Sequence, residues 1–353
     1  MSQTSPGQPA APAGSDGLSF PHPVVPEPGQ WLEIHPDVRW IRMPLPFALN
    51  HINLWLLRGP RGWTIVDTGY NSSATRQAWE QLLPHHPDLE QVLVTHYHPD
   101  HLGQAGWFAR EFGLPVLMTE AEYLTGHAAY EGTSGFGPDG LASLYRCHGL
   151  DAERIAAVTA RPTGFRNAIT PPPTTYRRIR HGDVLRLGHH EWRVMVGHGH
   201  APEHASLYCE ALGLLISGDM LLPKISTNTS VPATQPETDP VGQFLSAIRA
   251  YTTLPAETLV LPSHGLPFRG IEARVRALEA HHRDRLDEVL GACVAPKTAA
   301  EIMPVLFRRE LDIHQLFFAM GEAIAHLNHL FQHGRVTRTT GPDGVHRFQA
   351  SRT

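Results

Sequence analysis

Cysteine is scarce in this chain: three occur among 353 residues, Cys147, Cys209 and Cys293. They are far apart and in none of the paired spacings of a disulfide framework or a zinc knuckle, which excludes a covalently stapled scaffold. Long apolar runs are also missing. Stretches such as Leu212 to Ile216 and Thr258 to Pro262 fall far short of the roughly 20 residues that a membrane-crossing helix needs, so no membrane span is expected. Neither sign of charge is in great excess, with 29 Lys plus Arg against 34 Asp plus Glu and a net charge of −5. That balance gives no general pull toward nucleic acid or anionic lipid. Residues 1–30 are rich in Pro, Gly, Ala and Ser and lack the basic start and apolar stretch of a secretory signal. They read as a disordered leader to a cytoplasmic protein.

What is present supports a folded enzyme. A hydrophobic content of 41% over this length allows one large domain and a small one, or two of middle size. Ordered structure is expected from Trp31. Strand-like runs at Ile52 to Leu57, Trp63 to Val66, Gln91 to Thr95 and Pro115 to Thr119 alternate with a helix opened by Ser72 or Ser73. Residues 121–166 break this rhythm with a glycine-rich stretch between two helical patterns, and read either as a lid-like insertion or as a surface excursion. Strands resume at Val184 to Leu187, Trp192 to Val196, Ala205 to Cys209 and Leu214 to Ser217. Asp239 and Pro240 are an N-cap and first-turn pair for a further helix. From Ile271 helix formers dominate, in patterns over Ile271 to Leu290, Thr298 to Leu306 and Ile313 to Phe331. A hairpin around Gly341-Pro-Asp-Gly344 follows, so residues 271–353 read as a winged-helix-like module.

Histidine is the surplus residue, with 24 copies, and imidazole is the commonest metal ligand. His96-Tyr-His98-Pro-Asp100-His101 follows the strand ending at Thr95. In such a loop His96 and His98 can share one cation while Asp100 and His101 address another. Three further signals follow in order, each where a strand meets a loop: Gly197-His198-Gly199-His200-Ala-Pro-Glu-His204, Ser217-Gly218-Asp219 and Pro262-Ser263-His264-Gly265. Two adjacent divalent cations need about six or seven donor groups plus solvent, and this set supplies them.

These motifs resemble the metallo-β-lactamase superfamily, whose HxHxDH, His, Asp, His pattern is matched in order over about residues 31–270. The resemblance implies a fold that spacing alone does not, an αββα sandwich of two mixed sheets. It also implies a ligand set: His96, His98 and His200 for one metal, Asp100, His101 and His264 for the second, and Asp219 between them. Asp67, in Asp67-Thr68-Gly69, resembles the family's early supporting loop, and His204 its structural last histidine. His198 stays outside the set, and Tyr97 is expected to pack. The cofactor implied is a pair of divalent metal ions; a nitrogen-rich donor set suits zinc, with iron and manganese left open. A shared water made available as hydroxide would attack, with Asp100 and Asp219 as acceptors for its proton.

The expected substrate is a small ester, thioester or lactone. The tail resembles the winged-helix module that accompanies acyl-glutathione and lactone hydrolases and a few single-strand ribonucleases. Two alternatives therefore stay open, a nuclease or phosphodiesterase using the tail to bind nucleic acid, and a mononuclear-iron persulfide dioxygenase. Residues 271–353 hold 11 Lys plus Arg against 10 Asp plus Glu, whereas nucleic-acid binders carry a clear basic excess. A structural or homodimerising role for the tail is favoured. Lys224, Ser226 and Asn228, beyond Asp219, are placed to meet an anionic group of the substrate or to satisfy their own loop. Tyr123, in the insertion, is a further candidate contact.

Overall fold

The early strands are apolar in both phases of their alternation, which requires cover on both faces. The structure, a computed structural model, describes residues 17–351 except 87, 134 and 161–163. It provides that cover as two sheets between layers of helix. In the first sheet β1 (Trp31–His35), β2 (Val38–Pro44), β3 (His51–Arg58) and β4 (Trp63–Val66) run antiparallel. Beyond α1 (Ser73–Leu82), β5 (Leu89–Leu93) joins in parallel. The helices α2 (Pro99–Leu102) and α3 (Ala105–Phe112) then lead to β6 (Val116–Met118). Four helices, α4 (Glu120–Glu131), α5 (Pro138–Cys147), α6 (Ala152–Thr159) and α7 (Phe165–Ala168), precede the edge strand β7 (Arg177–Arg178).

The second sheet contains β8 (Val184–Leu187), β9 (His190–Gly197), β10 (His204–Cys209) and β11 (Leu214–Gly218), antiparallel in sequence, and after α8 (Pro240–Arg249) the parallel strand β12 (Leu259–Pro262). The tail comprises α9 (Ile271–Ala292), α10 (Ala299–Leu306), α11 (Ile313–Gln332) and the hairpin β13 (Val336–Thr340) and β14 (His346–Ala350). No helix among the described residues is long and apolar enough to cross a membrane.

Strand β3 shows how the layers arise. Trp55 and Leu57 enter the space between the sheets with Trp192, Leu207 and Ile216. Ile52, Leu54 and Leu56 take the opposite face, with Trp79 of α1 and Phe108 of α3. On the outside of the second sheet Met195, Tyr208 and Leu215 meet Phe244 and Ile248 of α8 and Val275 and Leu278 of α9. Each large side chain so buried contributes about 1.5–3 kcal/mol. Local signals fix the helix starts: Ser72 accepts the Thr75 amide at 3.1 Å, and Asp239 accepts that of Gly242 at 2.8 Å ahead of Pro240.

Two expectations change. Residues 1–16 of the expected leader lie outside the described residues, but residues 17–30 are not separate from the fold. Leu18 is buried in the α8–α9 core, and Ser19 exchanges backbone hydrogen bonds with Arg269. The insertion at 121–166 is likewise no lone excursion. Leu144, Tyr145, Ile155 and Val158 of α5 and α6 share one core with Val289, Ile302, Met320 and Ile324 of the tail, and the Tyr145 hydroxyl donates to the carbonyl of Phe317 at 2.9 Å. Insertion and tail are apolar toward each other, so neither is expected to hold its shape alone.

This half of the molecule should be acid-sensitive. Burial lowers His282 to about 3, and His148 and His326 to about 4; His282 packs on Phe244 and stacks on His326. The unfolded chain takes up these protons near pH 6.5 and the folded one does not. Stability from them is therefore complete above pH 6.5 and falls as pH drops toward 4, by about 1.4 kcal/mol per pH unit for each group. Thermal midpoints of His282→Leu should fall less steeply with acid than those of the wild type. Parallel curves would show that His282 does not carry this dependence.

Candidate metal centre

The site forms where the parallel strands end. After β4 the backbone turns at Asp67 with φ of 60°, a left-handed value held by a dense set of bonds. The Asp67 carboxylate accepts from the Thr95 amide at 2.7 Å, the Thr95 hydroxyl at 2.8 Å and His101 Nδ1 at 2.8 Å. This ties the end of β4 to the segment after β5. There His98 precedes α2, with Pro99 in its first turn, so that Asp100 and His101 project from one short helical turn.

Five imidazoles and two carboxylates converge. His96 Nε2 lies 3.0 Å from His98 Nδ1 and 3.2 Å from His200 Nε2. On the other side, Asp100 Oδ2 is 3.5 Å from His264 Nε2 and 3.7 Å from His101 Nε2. Asp219 faces both groups: Oδ1 is 3.5 Å from the Nε2 atoms of His101 and His264, and Oδ2 is 3.4 Å from His200 Nε2. A tetrahedral zinc with bonds of about 2.0–2.1 Å places its donor atoms about 3.3 Å apart, which these separations match.

The outward nitrogens are fixed. Backbone carbonyls only accept, so His200 Nδ1 donates to Asn228 at 2.8 Å and His264 Nδ1 donates to His51 at 2.8 Å, and each Nε2 lone pair faces the centre. His96 Nδ1 meets the Thr95 hydroxyl at 3.0 Å. His101 Nε2 and Asp219 Oδ1 are buried with no hydrogen-bond partner. Such orphaned atoms cost about 1–3 kcal/mol each, and a cation would satisfy both.

Electrostatics point the same way. Burial, then the surrounding imidazoles, lowers His96 and His98 well below the usual range, leaving neutral donors. Burial opposes charge on His101 as well, but Asp67, Asp100 and Asp219 outweigh it and raise His101 well above that range; Asp219 and Asp100 raise His264. Burial likewise works against the Asp219 carboxylate, yet His264 and His101 pull it far down. The carboxylates thus gather positive charge at a buried point.

The supporting candidates divide. His204 is fully buried, and its Nε2 accepts the Asp219 amide at 3.1 Å. Gly218, at φ of 53°, makes room for it, since a Cβ there would run into that ring. His198 is exposed and turned to the Pro202 carbonyl. Tyr97 packs beside Phe165. Two of the candidate substrate contacts have partners within the fold. Asn228 gives its side chain to Glu322, 3.1 Å away, and to Ser230, and supports His200 through its carbonyl instead. Tyr123 stacks on Tyr176 with ring centres 3.9 Å apart. Lys224 is exposed and forms no ion pair among the described residues.

Two glutamates that sequence reasoning missed brace the loops, Glu122 buried and Glu322 half-buried. Glu122 of α4 accepts the amides of Tyr97 and Glu203, joining the His96–His101 segment to the His200–His204 loop. Burial raises it to about 7. Its place in a helical first turn disguised it as an ordinary dipole-compensating residue. Glu322 is the one acid in Ile313–Gln332, a lone charge in an apolar helix, and that was a readable sign.

The family model described as the metallo-beta-lactamase superfamily matches residues 49–264, and that described as the metallo-beta-lactamase-like C-terminal domain matches 286–351. A beta-lactamase domain protein from Burkholderia ambifaria is 45% identical, with a TM-score of 0.88 over 95% of this chain and 98% of its own. A metallo-beta-lactamase family protein from Thermus thermophilus is 31% identical, with a TM-score of 0.78 over 90% of this chain and 100% of its own. The probable metallo-hydrolase YqjP of Bacillus subtilis is 28% identical over 301 residues, 83% of this chain and 91% of that one.

Proposed function

This chain belongs to the metallo-beta-lactamase superfamily as a metal-dependent hydrolase of that fold, and from this premise we propose that it cleaves a small ester, thioester or lactone at a centre for two divalent cations. The observation that carries the reading is the Asp219 carboxylate, with one oxygen toward each imidazole group. His96, His98 and His200 would hold one cation, Asp100, His101 and His264 the other, with Asp219 shared; zinc suits so nitrogen-rich a set. When bound, such ions make hydroxide available near neutral pH and polarise a carbonyl oxygen.

The chain's own residues do the rest. Asp67, Asn228 and His51 orient the imidazoles, His204 fixes the backbone of Asp219, and Asp100 and Asp219 offer carboxylate oxygens to a water's proton. A cleft of about 740 Å³ beside α8 and the end of α11 carries Glu237 and Asp239 among its walls and none of the proposed ligands. The near-neutral tail favours a small acyl substrate over a polyanion.

Elemental analysis of the purified protein, paired with a turnover screen of lactones, thioesters and phosphodiesters, tests this. About two zinc ions per chain with acyl turnover is the expected result. One iron per chain without hydrolysis would overturn it in favour of a sulfur dioxygenase, and phosphodiester turnover alone in favour of a nuclease.

A further inference from the structure

A second set of metal-competent side chains lies away from the candidate centre, where α8 meets α11. His329 lies in the last turn of α11, and His333, four residues on, is the C-cap that ends it. Asp239, the N-cap of α8, faces them. His329 Nδ1 lies 3.0 Å from each Asp239 carboxylate oxygen, and the two imidazole rings are 4.2 Å apart. One donor atom from each of the three side chains lies within 4.8 Å of the other two. His333 Nδ1 is 2.8 Å from the His329 carbonyl, which can only accept, so its Nε2 offers a lone pair. Asp239 and His333 also line the cleft of about 740 Å³, which gives the trio access to solvent.

We propose that Asp239, His329 and His333 form a separate site for a divalent transition cation of the zinc class, with water from the cleft completing its coordination. Two imidazoles and one carboxylate are a donor set that suits zinc and its first-row neighbours. The 3.0 Å spacing matches the one between His96 and His98 in the candidate centre. An ordinary imidazole–carboxylate hydrogen bond has the same length, but it would need only His329; the second imidazole, one turn further on, is what a cation adds. Its structural effect is a cross-link between the catalytic half and the helix that carries Glu322, two turns before His329. The site uses none of the residues of the proposed hydrolytic centre.

Zinc titration of the full-length protein, by calorimetry with elemental analysis at saturation, tests the proposal on wild type, His333→Ala and His329→Gln. The expected result is one more zinc ion per chain in the wild type than in either variant. Affinity for that ion should fall at least about 100-fold in the variants, with circular dichroism unchanged. Equal zinc content in wild type and His333→Ala would reduce the trio to a hydrogen-bonded helix cap and overturn the site. Should His329→Gln not fold, the exposed His333 decides alone. The measure is a difference between chains, so it stands whatever the metal content of the hydrolytic centre.

Discussion

Asp219→Ala is expected to lower kcat/KM by on the order of 10³-fold or more and to lower bound metal, while leaving the fold intact. The carboxylate is the one group that faces both imidazole clusters, and its charge is drawn there by His264 and His101. Removing it leaves His101 Nε2 and His264 Nε2 facing a void where an anion stood, so both halves of the centre lose a donor together. The scaffold does not depend on this side chain: the Asp219 amide keeps His204 Nε2, and the Thr227 hydroxyl keeps the Asp219 carbonyl. Asp219→Asn keeps shape and loses charge, and should be nearly as inactive. His98→Ala should also abolish turnover, through the first cluster alone. Metal content, circular dichroism and turnover of the three variants check this. Wild-type rates in Asp219→Ala with normal metal would remove Asp219 from the centre.

Much of this was legible in the sequence because the candidate ligands sit where strands end, and strand ends are set by local patterns. The runs before His96, His200, Asp219 and His264 are apolar and terminate at Gly, Ser or His, so the motifs fell on loops at one end of the sheets. Helix starts at Ser72 and Asp239 were readable for the same local reason. What could not be read depends on distant partners. Nothing near Leu18 says that it joins the core of Phe244 and Phe268, and nothing near Tyr145 says that it meets Phe317. Asn228 could be read as a substrate contact or as a residue that satisfies its own loop; its carbonyl supports His200, and its amide is taken by a residue 94 positions away. A polar loop residue beside a site has two ways to serve it, and only tertiary structure chooses between them.

The second large effect concerns the tail. Asn228 accepts from His200 Nδ1 with its backbone and donates its side-chain amide to Glu322, so the tail reaches the candidate centre through one intermediary. The contact is close: a Cβ on Gly321 would come within 2.5 Å of the Ser230 hydroxyl. Glu322→Leu removes the acceptor and leaves the Asn228 amide unpaired, which frees the loop that sets the His200 ring. Loss of such an outer partner costs about 10–100-fold in metal affinity or activity, and that range is expected here, read by chelator competition and by kcat against KM. Burial pushes the Glu322 carboxyl up to about 7. The folded chain therefore holds this proton above the pH at which the unfolded chain releases it, and the contribution of Glu322 to stability declines as pH rises from about 4.5 to 7. Glu322→Gln keeps an acceptor oxygen without the ionisation, so it should rescue metal affinity to within a few fold and flatten that decline. If Glu322→Leu binds metal and turns over as the wild type does, Ser230 alone holds Asn228 and the tail has no hand in the site. If Gln and Leu lose affinity equally, the ionised carboxylate rather than its hydrogen bond is what orders the loop.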